Sequence, residues 1–182
     1  MSEIKIYNLR IIPPNPIYDE VVKLKNKFIN AFGKQPLSTS KPHITLVAFE
    51  MDVQYEAYLI KALYQLSILK KFKLEIEGFG VFQNISKALI IKVSKTKELE
   101  FLLTQIEIIW IRDLHRKPAT LTTSTTPHIT ISKTTGDEML QDSYNLFKKI
   151  KLPYKEIEVS YLTLVSRPLK STWDWEHQIT LS

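Results

Sequence analysis

One five-residue stretch occurs twice in this chain, and it restricts the fold more than any other feature. Pro42-His43-Ile44-Thr45-Leu46 is answered 85 positions later by Pro127-His128-Ile129-Thr130-Ile131. Glu75-Ile76-Glu77 is answered 81 positions later by Glu156-Ile157-Glu158, in the same order. The drift between the two offsets needs only a slightly shorter connection in the second copy. The two matches describe an internal duplication, with lobe repeats at about 35–94 and 120–182. At 182 residues, one compact domain over 1–182 built from two small lobes is the expected organisation.

Hydrophobic periodicity supplies the elements. Residues 3–9 alternate polar and apolar, as a half-buried strand does, and Pro13, Pro14 and Pro16 end the run. Helical spacing runs from Ile17 to Phe32, with Gly33 as the stop, and a second helix is predicted from Tyr55 to about Lys70. Strands are predicted at 43–49, 72–77, 88–93, 128–132, 154–165 and 173–181, and further helices at 98–112 and 137–150. The threonine-rich stretch 116–125 reads as an exposed loop. The fold class is therefore α+β: a bilobal pseudo-two-fold duplication, two antiparallel sheets forming a central cleft, with helices packed outside.

On a strand, His43 and Thr45 point one way and Ile44 and Leu46 the other; His128 and Thr130 do the same against Ile129 and Ile131. Each triplet offers an imidazole and a hydroxyl on one face and anchors itself on the other. Lobes meeting about a two-fold axis would bring both pairs to one cleft. Phosphodiester cleavage needs that set: a base for the attacking hydroxyl or water, an acid for the leaving oxygen, and donors for the non-bridging oxygens. Histidine can serve as base and acid near neutrality. His115, in a loop, and His177, on the last strand, have no partner motif and read as surface or structural residues.

Composition narrows the rest. With no cysteine there is no thiol nucleophile, disulfide or cysteine-ligated metal, and neither triplet has a third ligand at metal spacing, so no metal and no cofactor are expected. Four glycines include no phosphate loop of the GxxxxGK[ST] or GxGxxG type. No apolar run reaches membrane-spanning length, and the first ten residues lack a leader's apolar core. A reducing cytoplasm and a monomer are the default expectations. The net charge of +6 admits a phosphate-bearing partner, but its lysines are scattered, which points to a nucleotide or short RNA terminus and not a long RNA groove.

At the two His-x-Thr motifs the sequence resembles the 2H phosphoesterases, most closely the bacterial 2′–5′ RNA ligase-like or cyclic phosphodiesterase-like branch, over nearly the whole chain. The resemblance implies metal-independent catalysis by His43, Thr45, His128 and Thr130. It also implies hydrolysis of 2′,3′-cyclic phosphates to 2′-phosphates, or cleavage or formation of 2′–5′ linkages. Lys133 stands where the family often has a basic residue after the second motif, and Ala48 holds that offset in the first. Phe82, Tyr161 and Trp173 are candidates for base stacking and Arg167 for phosphate binding. The rival readings are an RNA- or nucleotide-binding module that keeps the motif without turnover, and a structural protein with a degenerate cleft.

Overall fold

The computed structural model describes residues 3–114 and 119–182. Its elements are β1 (Ile4–Ile11), α1 (Ile17–Phe32), β2 (Ile44–Asp52), α2 (Glu56–Leu63), β3 (Phe72–Phe82), β4 (Ala88–Val93), α3 (Lys97–Arg112), β5 (Ala119–Thr123), β6 (His128–Lys133), α4 (Asp137–Phe147), β7 (Glu156–Val159), β8 (Tyr161–Pro168) and β9 (Trp175–Thr180). The strands form an antiparallel path β7-β3-β4-β6-β2-β1-β8-β9, with β5 beside β2. This is the expected α+β architecture, its two half-sheets joined where β2 meets β6. Because only Ser160 separates β7 from β8, the strand that pairs with β3 continues into the strand that pairs with β1. The path thereby curls back on itself.

The duplication is written into the register. Ile44 faces Ile129 across β2 and β6, and Glu75 faces Glu156 across β3 and β7. These are equivalent positions of the two sequence matches, and an antiparallel pair that sets equivalent residues opposite one another lies on a two-fold axis. The halves also share a defect. Between β1 and β2 the register slips so that Leu46 is the extra residue; between β4 and β6 the extra residue is its counterpart, Ile131. The stretches 35–94 and 120–182 hold the landmarks, but each half-sheet draws strands from both: β3 and β4 lie beside β6, and β8 and β9 lie beside β1.

Each half buries one face under helices. On one side Phe28 of α1, Phe147 of α4 and Phe79 of β3 form a contiguous aromatic cluster. On the other, Tyr7 of β1 stacks on Phe49 of β2, which meets Trp110 of α3 edge-on at 5.0 Å. Gly33 ends α1 with φ of 77°, a conformation that side chains with a Cβ rarely adopt.

Three expectations need correction. The helix predicted from Tyr55 to Lys70 is α-helical only over α2 and then tightens into a 3₁₀ turn, Tyr64–Ile68. The strand predicted at 154–165 is broken at Ser160 and runs on to Pro168. The threonine-rich loop contains β5, whose β-branched residues suit an edge strand on β2. His115 lies outside the described residues.

Candidate active site

The pairing of Ile44 with Ile129 decides the geometry of the four motif side chains. Both isoleucines are essentially inaccessible, so the residues flanking them project from the opposite face. In an antiparallel pair His43 then lies across from Thr130, and Thr45 across from His128. The set is a two-by-two array in which the imidazoles occupy one diagonal, about 7–8 Å between backbone positions. That separation lets two side chains reach one phosphate from opposite sides. All four are half-buried.

The shared bulge carries the array one residue further. Lys133 is an odd number of positions from His128, and plain alternation would turn it toward the core. The extra residue restores it: Ile131 and Ser132 are both fully buried, and Lys133 returns half-buried to the face of His128 and Thr130. In β2 the same bulge delivers Ala48, which brings no charge.

Both imidazoles are oriented by the same device. His43 Nδ1 lies 2.8 Å from the Lys41 carbonyl oxygen, and His128 Nδ1 lies 2.8 Å from that of Thr126. A carbonyl only accepts, so Nδ1 carries hydrogen in each ring and Nε2 is the nitrogen that exchanges a proton. Phe82 meets the His128 ring edge-on, with centroids 4.7 Å apart.

The surroundings differ more than the motifs do. His43 is held down to about 4 by burial and then by the Arg10 guanidinium, with Lys25 and His128 adding to the effect; its bond to the Lys41 carbonyl opposes them. Burial also lowers His128, against its bond to Thr126, but no cation contributes there. Lys25, on α1, is 3% exposed and donates to the carbonyls of Leu37 (2.8 Å) and Ile131 (3.0 Å) and to Ser40 Oγ (3.3 Å). Its ammonium thus satisfies the carbonyl of the β6 bulge and the loop leading into β2. Burial lowers it to about 8.

A cleft of about 440 Å³ opens beside His43, bounded by Arg10, Lys41, Thr163, Val165, Trp173 and Glu176 among others. Of the expected site residues His43 and Trp173 are at this wall, whereas Thr45, His128, Thr130, Phe82, Tyr161, Lys133 and Arg167 do not line it. Arg167 Nη1 instead donates to the carbonyls of Leu169 (3.0 Å) and Ser171 (3.2 Å), and its guanidinium lies 5.3 Å from the centre of the Trp173 ring. Arg10 and Lys25 are not legible in the sequence as site residues. The readable trace of Arg10 is a charge on the alternating N-terminal strand, at the position that pairs with Thr45.

Among the described residues no three His, Asp or Glu side chains gather as metal ligands would, and no helix is long and apolar enough to cross a membrane. A family model for the 2′-5′ RNA ligase superfamily matches residues 13–170. No curated protein sequence matches the chain. Among solved structures, the fold is similar to Escherichia coli LigT in apo form (TM-score 0.66, 16% identity, covering 98% of this chain and 99% of that one). TT0787 of Thermus thermophilus gives 0.65, 16%, 96% and 97%. Kluyveromyces marxianus Usb1 gives 0.53, 13%, 99% and 99%. LigT has been crystallised with 3′-AMP, with phosphate and with ATP.

Proposed function

The chain belongs to the 2′-5′ RNA ligase superfamily of 2H phosphoesterases, and on that premise we propose that it hydrolyses 2′,3′-cyclic phosphate or 2′–5′ phosphodiester bonds of nucleotides or short RNA ends, without a metal. Membership supports a phosphodiesterase or RNA-processing role; the substrate and the residue roles are our reading. The observation that carries it is the two-fold array, in which both rings have Nδ1 tied to a carbonyl and Nε2 left for proton transfer.

From the asymmetry of the array we infer the roles. His43, pressed by burial and Arg10, is neutral at pH 7 and is the base; His128, with no cation against it, is the acid. His43 Nε2 takes a proton from water as the water oxygen bonds to phosphorus. The bond from phosphorus to the 3′-oxygen breaks, and that oxygen takes a proton from His128 Nε2, leaving a 2′-phosphate. Thr45 and Thr130 donate to the non-bridging oxygens as negative charge concentrates there, and Lys133 adds positive charge on the same face. Phe82 fixes the His128 ring, and Arg167 acts on the substrate side through Trp173. A ligand able to cross the cleft is a nucleotide or short terminus, consistent with a monomer working alone in the cytoplasm.

The test is a panel of 2′,3′-cyclic nucleotides and 2′–5′ dinucleotides, with products separated by position of the phosphate. A 2′-phosphate product is expected in the presence of chelator. Nucleotide binding without turnover of any substrate would favour the binding-module reading instead.

A further inference from the structure

Arg10, which acts on His43 only through its charge, and Thr163 are two buried polar groups of the cleft that touch no reacting atom in the reaction described above. Arg10 is 5% exposed and Thr163 is 2% exposed. They are direct partners across β1 and β8, and Arg10 is on its other side the partner of Thr45. Thr45, Arg10 and Thr163 therefore form one row across three strands, on the face of the histidines.

Arg10 Nε donates to Asn8 Oδ1 at 3.0 Å, but neither of its Nη groups has a hydrogen-bond partner among the described residues. The Thr163 hydroxyl has none either. Glu176 is the carboxylate whose charge Arg10 feels, yet it is exposed and forms no ion pair with it. The guanidinium is held against Trp173, 4.6 Å from the ring centre, while Arg167 braces the same ring. Arg10 thus presents four unused Nη–H donors to the cleft, a charged fork that an arriving anion can meet. Burial has already lowered its pKa to about 10, so it remains charged at pH 7. Of the charged residues bounding the cleft, Lys41, Asp174 and Glu176 are exposed at its rim, which leaves Arg10 as the charge at its floor.

We propose that Arg10 and Thr163 form a second phosphate subsite beside His43, one that takes a phosphate of the substrate other than the phosphate under attack. The planar fork of arginine matches two phosphate oxygens, and the threonine hydroxyl supplies a further donor. The substrate class is then a nucleoside 2′,3′-cyclic phosphate that also bears a 5′-phosphate, as a monoester or as the preceding linkage of an RNA end. This rests on the phosphodiesterase reading. The subsite exists on one side only, because the residue paired with Thr130 in the other half is Ile90, which is apolar and buried.

Binding can be tested apart from turnover. Calorimetry with adenosine 2′,5′-bisphosphate and adenosine 2′-monophosphate should show the bisphosphate bound about tenfold or more tightly, the size of a good charge-assisted contact. Arg10→Met should bring the ratio to about one, and the near-isosteric Thr163→Val should lower it about threefold. Unchanged affinity of Arg10→Met for the monophosphate shows that the fold and the first phosphate site of that variant are intact. Millimolar inorganic phosphate added to the monophosphate should not reproduce the gain. Equal affinities in the unaltered protein, a ratio unmoved by Arg10→Met, or a gain restored by inorganic phosphate would each overturn the subsite. Tenfold preference without turnover of any cyclic phosphate would instead remove the phosphodiesterase reading and keep the subsite.

Discussion

The two His-Ile-Thr strands share a backbone and differ in what stands around it. Each begins after a proline, ties its histidine to the carbonyl two residues back, and bulges one residue after its threonine. Yet the bulge carbonyl of Leu46 is met by the neutral backbone N–H of Ser124 at 2.9 Å, while that of Ile131 is met by the buried ammonium of Lys25. Thr45 has Arg10 as its strand neighbour, and Thr130 has Ile90. The duplicated part places two proton carriers at equal distance from one point. Differences at equivalent positions around them make the two unequal, and acid–base catalysis needs that inequality.

The sharpest way to break the comparison is to remove either histidine. His43→Ala and His128→Ala should each lower kcat/KM by about 10²–10⁴-fold. The double variant should be much less than multiplicatively worse, because the pair acts as a unit. Single-turnover rates of the three variants on one cyclic nucleotide decide this.

The threonines should sharpen it. Thr45→Val and Thr130→Val should each cost about tenfold in kcat, because each removes one donor from the non-bridging oxygens of the phosphate under attack. A loss at one position alone would mean that the attacked phosphate does not sit between the two strands.

The pH profile should separate the halves by a smaller effect. A base at about 4 sets the acidic limb of kcat/KM there, and an acid below the ordinary histidine value sets the alkaline limb, so the optimum lies on the acidic side of neutrality. Arg10→Met removes a charge that disfavours the His43 imidazolium, so the acidic limb should move upward in pH. The same depressed value acts on stability. Unfolded His43 binds a proton near 6.5 and native His43 near 4, so stability is lost as pH falls through that window, by about 1.4 kcal/mol per unit of difference at most. Urea melts at pH 7 and pH 4, with His43→Phe as the flattened control, measure it. The smallest effect should come from EDTA, which is expected to leave turnover unchanged.

Much of this asymmetry is hidden from the sequence, and for a physical reason. Periodicity and repeated letters report what a strand does to its own side chains, so the motif histidines, the α+β class and the extent of α1 can be read directly. The pairing of Arg10 with Thr45 and Thr163 depends on which strands become neighbours, and no local pattern encodes that. Lys25 lies on the apolar stripe of α1, four residues after Val21 and three before Phe28, but a lone lysine there reads by its charge as solvated. At Ser160 the alternation changes phase, from buried Ile157 and Val159 to buried Leu162 and Leu164, but the apolar ring of Tyr161 bridges the change and lets the run read as one strand. Arg167, a candidate for phosphate contact by its position, spends its donors on the carbonyls that shape the turn before β9.

The crossing of strands between the copies has a consequence for ancestry. In element order, β1-α1-β2-α2-β3 is matched by β4-α3-β6-α4-β7/β8, and the third strand of each copy lies against the first strand of the other. A single copy could not seat its own third strand in this way. A half-length chain would satisfy that strand by exchanging it with a second identical chain, as in a swapped two-fold dimer. Within one polypeptide the equivalent positions need not be identical, and Arg10 and Ile90 are not.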